Sequence, residues 1–85
     1  MINIKQLKYF ITCADAGSFS EAASVLYTTQ SSVSKVIRAL EEEMQASLFI
    51  RNPHGISLTQ NGKQAYAYAS RVLENVEARW EIPSG

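Results

Sequence analysis

The chain has 85 residues, enough for one domain at most and for a modest core, so it is either a piece of something longer or gains stability by pairing. Hydrophobic residues make up 46%, which excludes disorder, and no apolar run is long enough for a membrane-spanning helix. Formal net charge is zero, so composition alone does not point to nucleic acid. The signs are nevertheless segregated. Between Arg51 and Arg71 the charges are Arg51, Lys63 and Arg71, while acids gather at Glu41, Glu42 and Glu43 and at Glu74, Glu77 and Glu81. A phosphate backbone responds to local charge rather than to the sum. One cysteine excludes an internal disulfide, and one histidine, His54, without a thiol partner offers no metal constellation. The start, "MINIKQLKYF", lacks the layout of a signal peptide, so the expected location is cytoplasmic.

Residues 3–16 read as a helix. Asn3 and Gln6 have capping-box spacing, Ile4, Leu7, Phe10, Ile11 and Ala14 form an apolar stripe, and Gly17 ends it. Cys13, set in "YFITCADA", reads as a small buried hydrophobe. The second helix opens at "SFSEAASVL". Ser18 and Glu21 again have capping spacing, and Phe19, Ala22, Ala23 and Leu26 share one face. A short turn at "YTTQ" leads into a third helix from about Gln30 to Met44, capped by Thr29. Val33, Ile37, Leu40 and Met44 make its buried stripe, and Ser31, Ser34, Lys35 and Arg38 fall on the opposite side. Two short runs, Leu48 to Arg51 and Ile56 to Leu58, flank "NPHG" and read as a small hairpin with a type I turn. Thr59 can cap a last helix that runs to about Trp80, before a tail containing Pro83 and Gly85.

This order predicts a mainly α fold: a winged helix-turn-helix over residues 1–58, with a three-helix core and a small β-hairpin wing, then a long helix with its tail over 59–85. Such a unit suits double-stranded DNA. A helix fits the major groove, short Ser and Gln side chains at its start approach base edges, and Lys35 and Arg38 supply charge for phosphate or a bond to guanine. Glu42 projects on the same side, roughly 10 Å further along the helix. A protein-binding winged helix is the competing class. Interfaces of that kind favour aromatic anchors, and the outward face of the third helix has none. No nucleophile–base pair, carboxylate pair or glycine-rich phosphate loop suggests an enzyme, and no cofactor or metal is expected.

The runs "LKYFITCADAGSFSEAASVLYTTQSSVSKVIRALEEEM", "LFIRNPHGISLT" and "NGK" carry a resemblance to the N-terminal DNA-binding domain of LysR-type transcriptional regulators. It extends from about residue 4 to at least residue 64. The resemblance implies sequence-specific binding of an inverted-repeat operator by a dimer that regulates transcription. Gln30, Ser31, Ser34 and Lys35 match positions that meet bases and phosphates. Thr29, Ser32 and Arg38 complete the candidate set on that helix, and Arg51 and His54 are the candidates on the wing. Arg51 matches a wing arginine that family members place toward the minor groove, where narrow A·T-rich stretches attract arginine. Departures stand out. Lys35 replaces the more usual arginine, which weakens bidentate reading of guanine. Met44-Gln45 replaces Leu-Gly, so the turn after the third helix must form without that glycine. His54 replaces a second wing arginine, and Asn61 an alanine. The family also implies a C-terminal effector-binding domain of the periplasmic-binding-protein type, which these residues do not contain. On that reading the chain is an isolated domain whose small-molecule effector binds elsewhere, and the whole regulator forms a higher oligomer.

The last helix matches the family's linker helix, which pairs two subunits. Tyr66, Ala69, Leu73, Val76 and Trp80 recur at steps of three and four residues, the spacing of a pairing seam. Ala65, Tyr68 and Val72 widen the apolar surface on one flank. Two contacts are therefore expected, one with the chain's own first helices and one with a second copy.

Overall fold

The computed structural model describes residues 1–81, and side chains through residue 75. The order is α1 (Ile4–Ala16), α2 (Phe19–Val25), α3 (Gln30–Met44), β1 (Phe49–Asn52), β2 (Gly55–Leu58) and α4 (Gln60–Glu81). Each α1–α3 boundary is set by a local chemical device. The Asn3 side chain accepts the Gln6 N–H at 2.8 Å, and the Gln6 side chain accepts the Asn3 N–H at 2.9 Å. This closed capping box satisfies two otherwise orphaned donors. Gly17, at φ 69°, ends α1 in the left-handed conformation. Ser18 accepts the Glu21 N–H to start α2, and Thr29 accepts the Ser32 N–H to start α3.

α1 is the central element and touches α2, α3, α4 and β2. Phe10 and Leu40 are fully buried, with Leu7, Ala22, Val33, Ile37, Leu48 and Ala69 around them. Aromatic rings run through this core. Phe10 meets Phe49 at 5.4 Å between centroids, Phe49 meets Phe19 at 5.6 Å, and Phe10 meets Tyr66 edge-on at 6.4 Å. Removing the Phe10 ring would cost about 3–5 kcal/mol, enough to threaten a domain of this size. Met44 is only partly buried at the rim.

The stripe of α1 differs from the sequence expectation. Cys13 is buried as expected, but Gln6 is buried too, beside Leu7 and Phe10, whereas Ile4 is 39% exposed. Ile4 and Ile11 lie about 100–120° round the helix from Phe10, on the flank rather than the centre of the buried face.

The strands pair antiparallel, Phe49 with Leu58 through Asn52 with Gly55, so the hairpin sits one residue later on its first side than expected. Leu48 leaves the ladder because its backbone is engaged elsewhere. Its N–H donates to the Glu41 carboxylate at 2.8 Å, and its carbonyl accepts the Thr59 N–H at 3.0 Å. The wing docks on the α1–α2 turn through the Ile56 N–H, which donates to the Gly17 carbonyl at 3.0 Å. A Cβ on Gly55 would lie 2.3 Å from that same carbonyl oxygen.

α4 packs on α1, the first of the two contacts expected for the last helix. Ala65 and Ala69 of α4 are core residues against α1, so the first half of the long helix belongs to the same unit as the winged fold. No described helix is long and apolar enough to cross a membrane.

Candidate nucleic-acid interface

α3 presents the groove. Its back is anchored by Val33, Ile37 and Leu40, which are at most 2% exposed. The opposite side carries Gln30, Ser31, Ser34, Lys35 and Arg38, which line one open depression. Ser31, Lys35 and Arg38 are exposed and Ser34 is half-buried. No carboxylate lines this depression. Arg38 also borders a second recess with Glu41 and Glu42, so the acids begin where the groove ends.

Thr29 and Ser32 stand apart from that row. The Thr29 hydroxyl accepts the Ser32 N–H at 3.1 Å and donates to the Ser32 hydroxyl at 3.0 Å. Ser32 points roughly 100° from Val33, on the flank away from Ser34. Both side chains hold the start of α3 in shape.

The wing candidates separate as well. His54 is exposed at the hairpin tip, where its N–H donates to the Asn52 side chain at 2.9 Å. Arg51 does not extend freely from the hairpin. Its guanidinium lies over the Phe19 ring, 4.7 Å from the centroid. Arg51 shares a strand face with Phe49, because alternate residues of β1 point the same way and Phe49 is buried. Sequence reasoning took Phe19 only as core. Its burial, 5% exposed, bears out the core reading, and its contact with Arg51, far along the chain, left no signal in the spacing. The other unforeseen residue is Tyr27, 97% exposed in the α2–α3 turn at φ 56°.

On α4 the expected pairing residues are partly committed to their own chain. Ala69 is fully buried against the core, so it offers no surface to a second copy. The Tyr66 hydroxyl donates to Asp15 of α1 at 2.6 Å, and that bond raises the phenol's pKa. Leu73 is partly buried against the core. Val76 and Trp80 lie outside the described side chains. Val72 is packed against the core in the same way, so the apolar surface left open on the neighbouring flank is Tyr68, 56% exposed. Among the described residues no three His, Cys, Asp or Glu side chains come together to hold a metal ion.

Comparison with known proteins places this geometry. Residues 4–63 match the family described as bacterial regulatory helix-turn-helix protein, lysR family. The chain is 38% identical over 76 residues to the nitrogen assimilation regulatory protein nac of Klebsiella aerogenes, covering 89% of this chain and 25% of that protein. It is 40% identical over 76 residues to the HTH-type transcriptional regulator GltR of Bacillus subtilis (strain 168), covering 89% of this chain and 26% of that one. The chain thus spans about a quarter of the length of these relatives. Among solved structures, the BenM_DBD/catB site 1 DNA complex superposes with a TM-score of 0.92 at 30% identity, over 98% of this chain and 92% of that one. The CbnR_DBD–DNA complex gives 0.90 at 32% identity, over 98% and 95%. With a family match over most of its length and the same winged architecture, the chain belongs to the lysR family of bacterial regulatory helix-turn-helix proteins.

Proposed function

We propose that this chain binds double-stranded DNA with sequence specificity, as the DNA-reading part of a LysR-type transcriptional regulator acting in the cytoplasm. The observation that carries the reading is the acid-free row of Gln30, Ser31, Ser34, Lys35 and Arg38 on the outer face of α3. Gln and Ser near the helix start are short enough to meet base edges, and Lys35 and Arg38 bring charge to phosphate or guanine. Two similar domains were solved on DNA, which supports the same use here. The chain contributes reading and, through α4, pairing with a second copy on an inverted repeat. Effector sensing belongs to the remaining part of a full-length regulator.

Selection from a random duplex pool, followed by affinity measurement, tests this. Recovery of an inverted repeat is the expected result. Lys35→Ala and Arg38→Ala should each weaken the selected site while leaving the circular dichroism unchanged. A lost base contact costs about 1–3 kcal/mol and relaxes one operator position, whereas a lost phosphate contact weakens all sequences alike. Unchanged affinity in both variants would remove α3 from the interface.

A further inference from the structure

Arg51 does not stand alone on the wing. Its guanidinium is stacked on Phe19, and Phe19 is itself fixed, 5% exposed and edge-on to Phe49 at 84°. A planar cation on a fixed ring loses little further freedom when it binds an anion. Beside it lies an open cleft of about 250 Å³, walled by Ser18, Ser20, Gln30 and Asn52 as well as by Arg51 and Phe19. The polar side chains of this cleft can all donate hydrogen bonds: a guanidinium, two hydroxyls and two carboxamides. No carboxylate lines it. The single ion pair among the described residues joins the Met1 ammonium to Glu43, so Arg51 is not neutralised by an acid there. A fixed cation ringed by neutral donors matches a tetrahedral oxyanion.

Gln30 lines both this cleft and the groove on α3. The two surfaces are therefore continuous. On the DNA-binding reading, a duplex seated on α3 would bring a backbone strand past Gln30 to the cleft mouth. We propose that Arg51 with Ser18, Ser20, Gln30 and Asn52 seats one backbone phosphate of the bound DNA, and that Phe19 is the positioning residue that holds the guanidinium there. This assignment rests on the DNA-binding reading above. It differs from the minor-groove role expected for Arg51 from family resemblance. A minor-groove reader has to leave the Phe19 ring, whereas a phosphate clamp uses the stack as it stands.

The test uses the 85-residue chain and a duplex selected by it, prepared with A·T-rich and with G·C-rich flanks. Arg51→Ala should weaken both duplexes by the same factor and reduce the slope of log affinity against log salt by about 1. A neutral methylphosphonate scanned along the backbone should weaken the unaltered chain at one position and leave Arg51→Ala insensitive there. Phe19→Leu should lose that position-specific sensitivity, and Phe19→Tyr, which keeps the ring, should restore it. Loss of A·T-flank preference with an unchanged salt slope would overturn the seat in favour of minor-groove reading. Full affinity in Arg51→Ala would overturn it in favour of no contact. Sensitivity retained in Phe19→Leu would overturn the role of Phe19. If the unaltered chain selects no duplex at all, the DNA reading fails and the seat with it, an outcome distinct from binding that ignores Arg51.

Discussion

Gln45 follows α3 at φ 53° and ψ 45°, a left-handed conformation that favours glycine. The turn still forms, because the Gln45 N–H donates to Glu42 and the Ala46 N–H to Glu41, at 3.2 and 3.1 Å. Gln45→Gly removes the Cβ strain but adds backbone freedom to the unfolded chain, and the first effect is the larger. The variant should gain about 0.5–1 kcal/mol in urea unfolding without altered DNA affinity, and an unchanged midpoint would show that the side chain carries a compensating contact. Cys13 gives a second residue-scale prediction. Burial with no exposed surface pushes its thiol up from 9.0 to about 12. Between those values the unfolded chain releases the proton and the native chain keeps it, so the native state binds more protons. The Cys13 contribution is therefore fully present below about pH 9 and falls as pH rises from there toward 12. Cys13→Ala should flatten that alkaline loss in unfolding measurements. In the folded chain Cys13 should resist alkylation, since the thiolate is the reactive form.

Two backbone contacts set where the wing stands relative to α3 and α4. The first is the Glu41 carboxylate on the Leu48 N–H, which ties α3 to the residue that enters β1. Glu41→Ala strands that donor and should cost about 1–3 kcal/mol, whereas Glu41→Gln keeps an acceptor and should cost less. Equal losses in the two variants would mean that charge, not the bond to Leu48, matters. The second contact is at Gly62, where a Cβ would lie 2.1 Å from the Leu48 carbonyl oxygen and 3.0 Å from a Leu58 methyl. Gly62→Ala should lose about 3 kcal/mol, the upper end of ordinary overpacking, because backbone cannot yield as a side chain can. A thermal midpoint within a degree of the unaltered chain would show that α4 can slide outward. These contacts also mark where sequence reading stops. Capping at Asn3, Ser18 and Thr29, the bounds of α3 and the burial of Val33, Ile37 and Leu40 follow from spacing alone, because helices are local. The engagement of Leu48 by Glu41 and Thr59 crosses between elements, that of Arg51 by Phe19 joins residues distant in the chain, and no periodicity encodes either. The same holds for Ala69. Its seam-like spacing is real, but spacing cannot say whether the chain's own α1 or another copy fills that side.

At the scale of the whole molecule, the pairing proposed above requires two copies to meet through α4. One protomer measures 47 × 26 × 21 Å, with α4 contributing roughly 33 Å of length. The 26 Å width is below the 34–36 Å between successive half-sites on one face of B-DNA. Two copies stand side by side about a two-fold axis without overlap only where one of the two shorter dimensions, not the 47 Å one, lies along the DNA. The side of α4 carrying Ala65, Tyr66 and Ala69 is already filled by α1, and Val72 and Leu73 pack against the same core, which leaves Tyr68 as the exposed large apolar side chain of α4 among the described residues. A two-fold contact is self-complementary, so a charge placed there meets its own copy and repels it. Tyr68→Asp should shift the chain from dimer to monomer in sedimentation equilibrium at tens of micromolar. It should weaken binding to the inverted repeat far more than binding to an isolated half-site. Tyr66→Phe, which removes only the bond to Asp15, should leave the mass unchanged. A dimer that persists in Tyr68→Asp but dissociates in Tyr66→Phe would place the pairing surface on the α1 side of α4 instead.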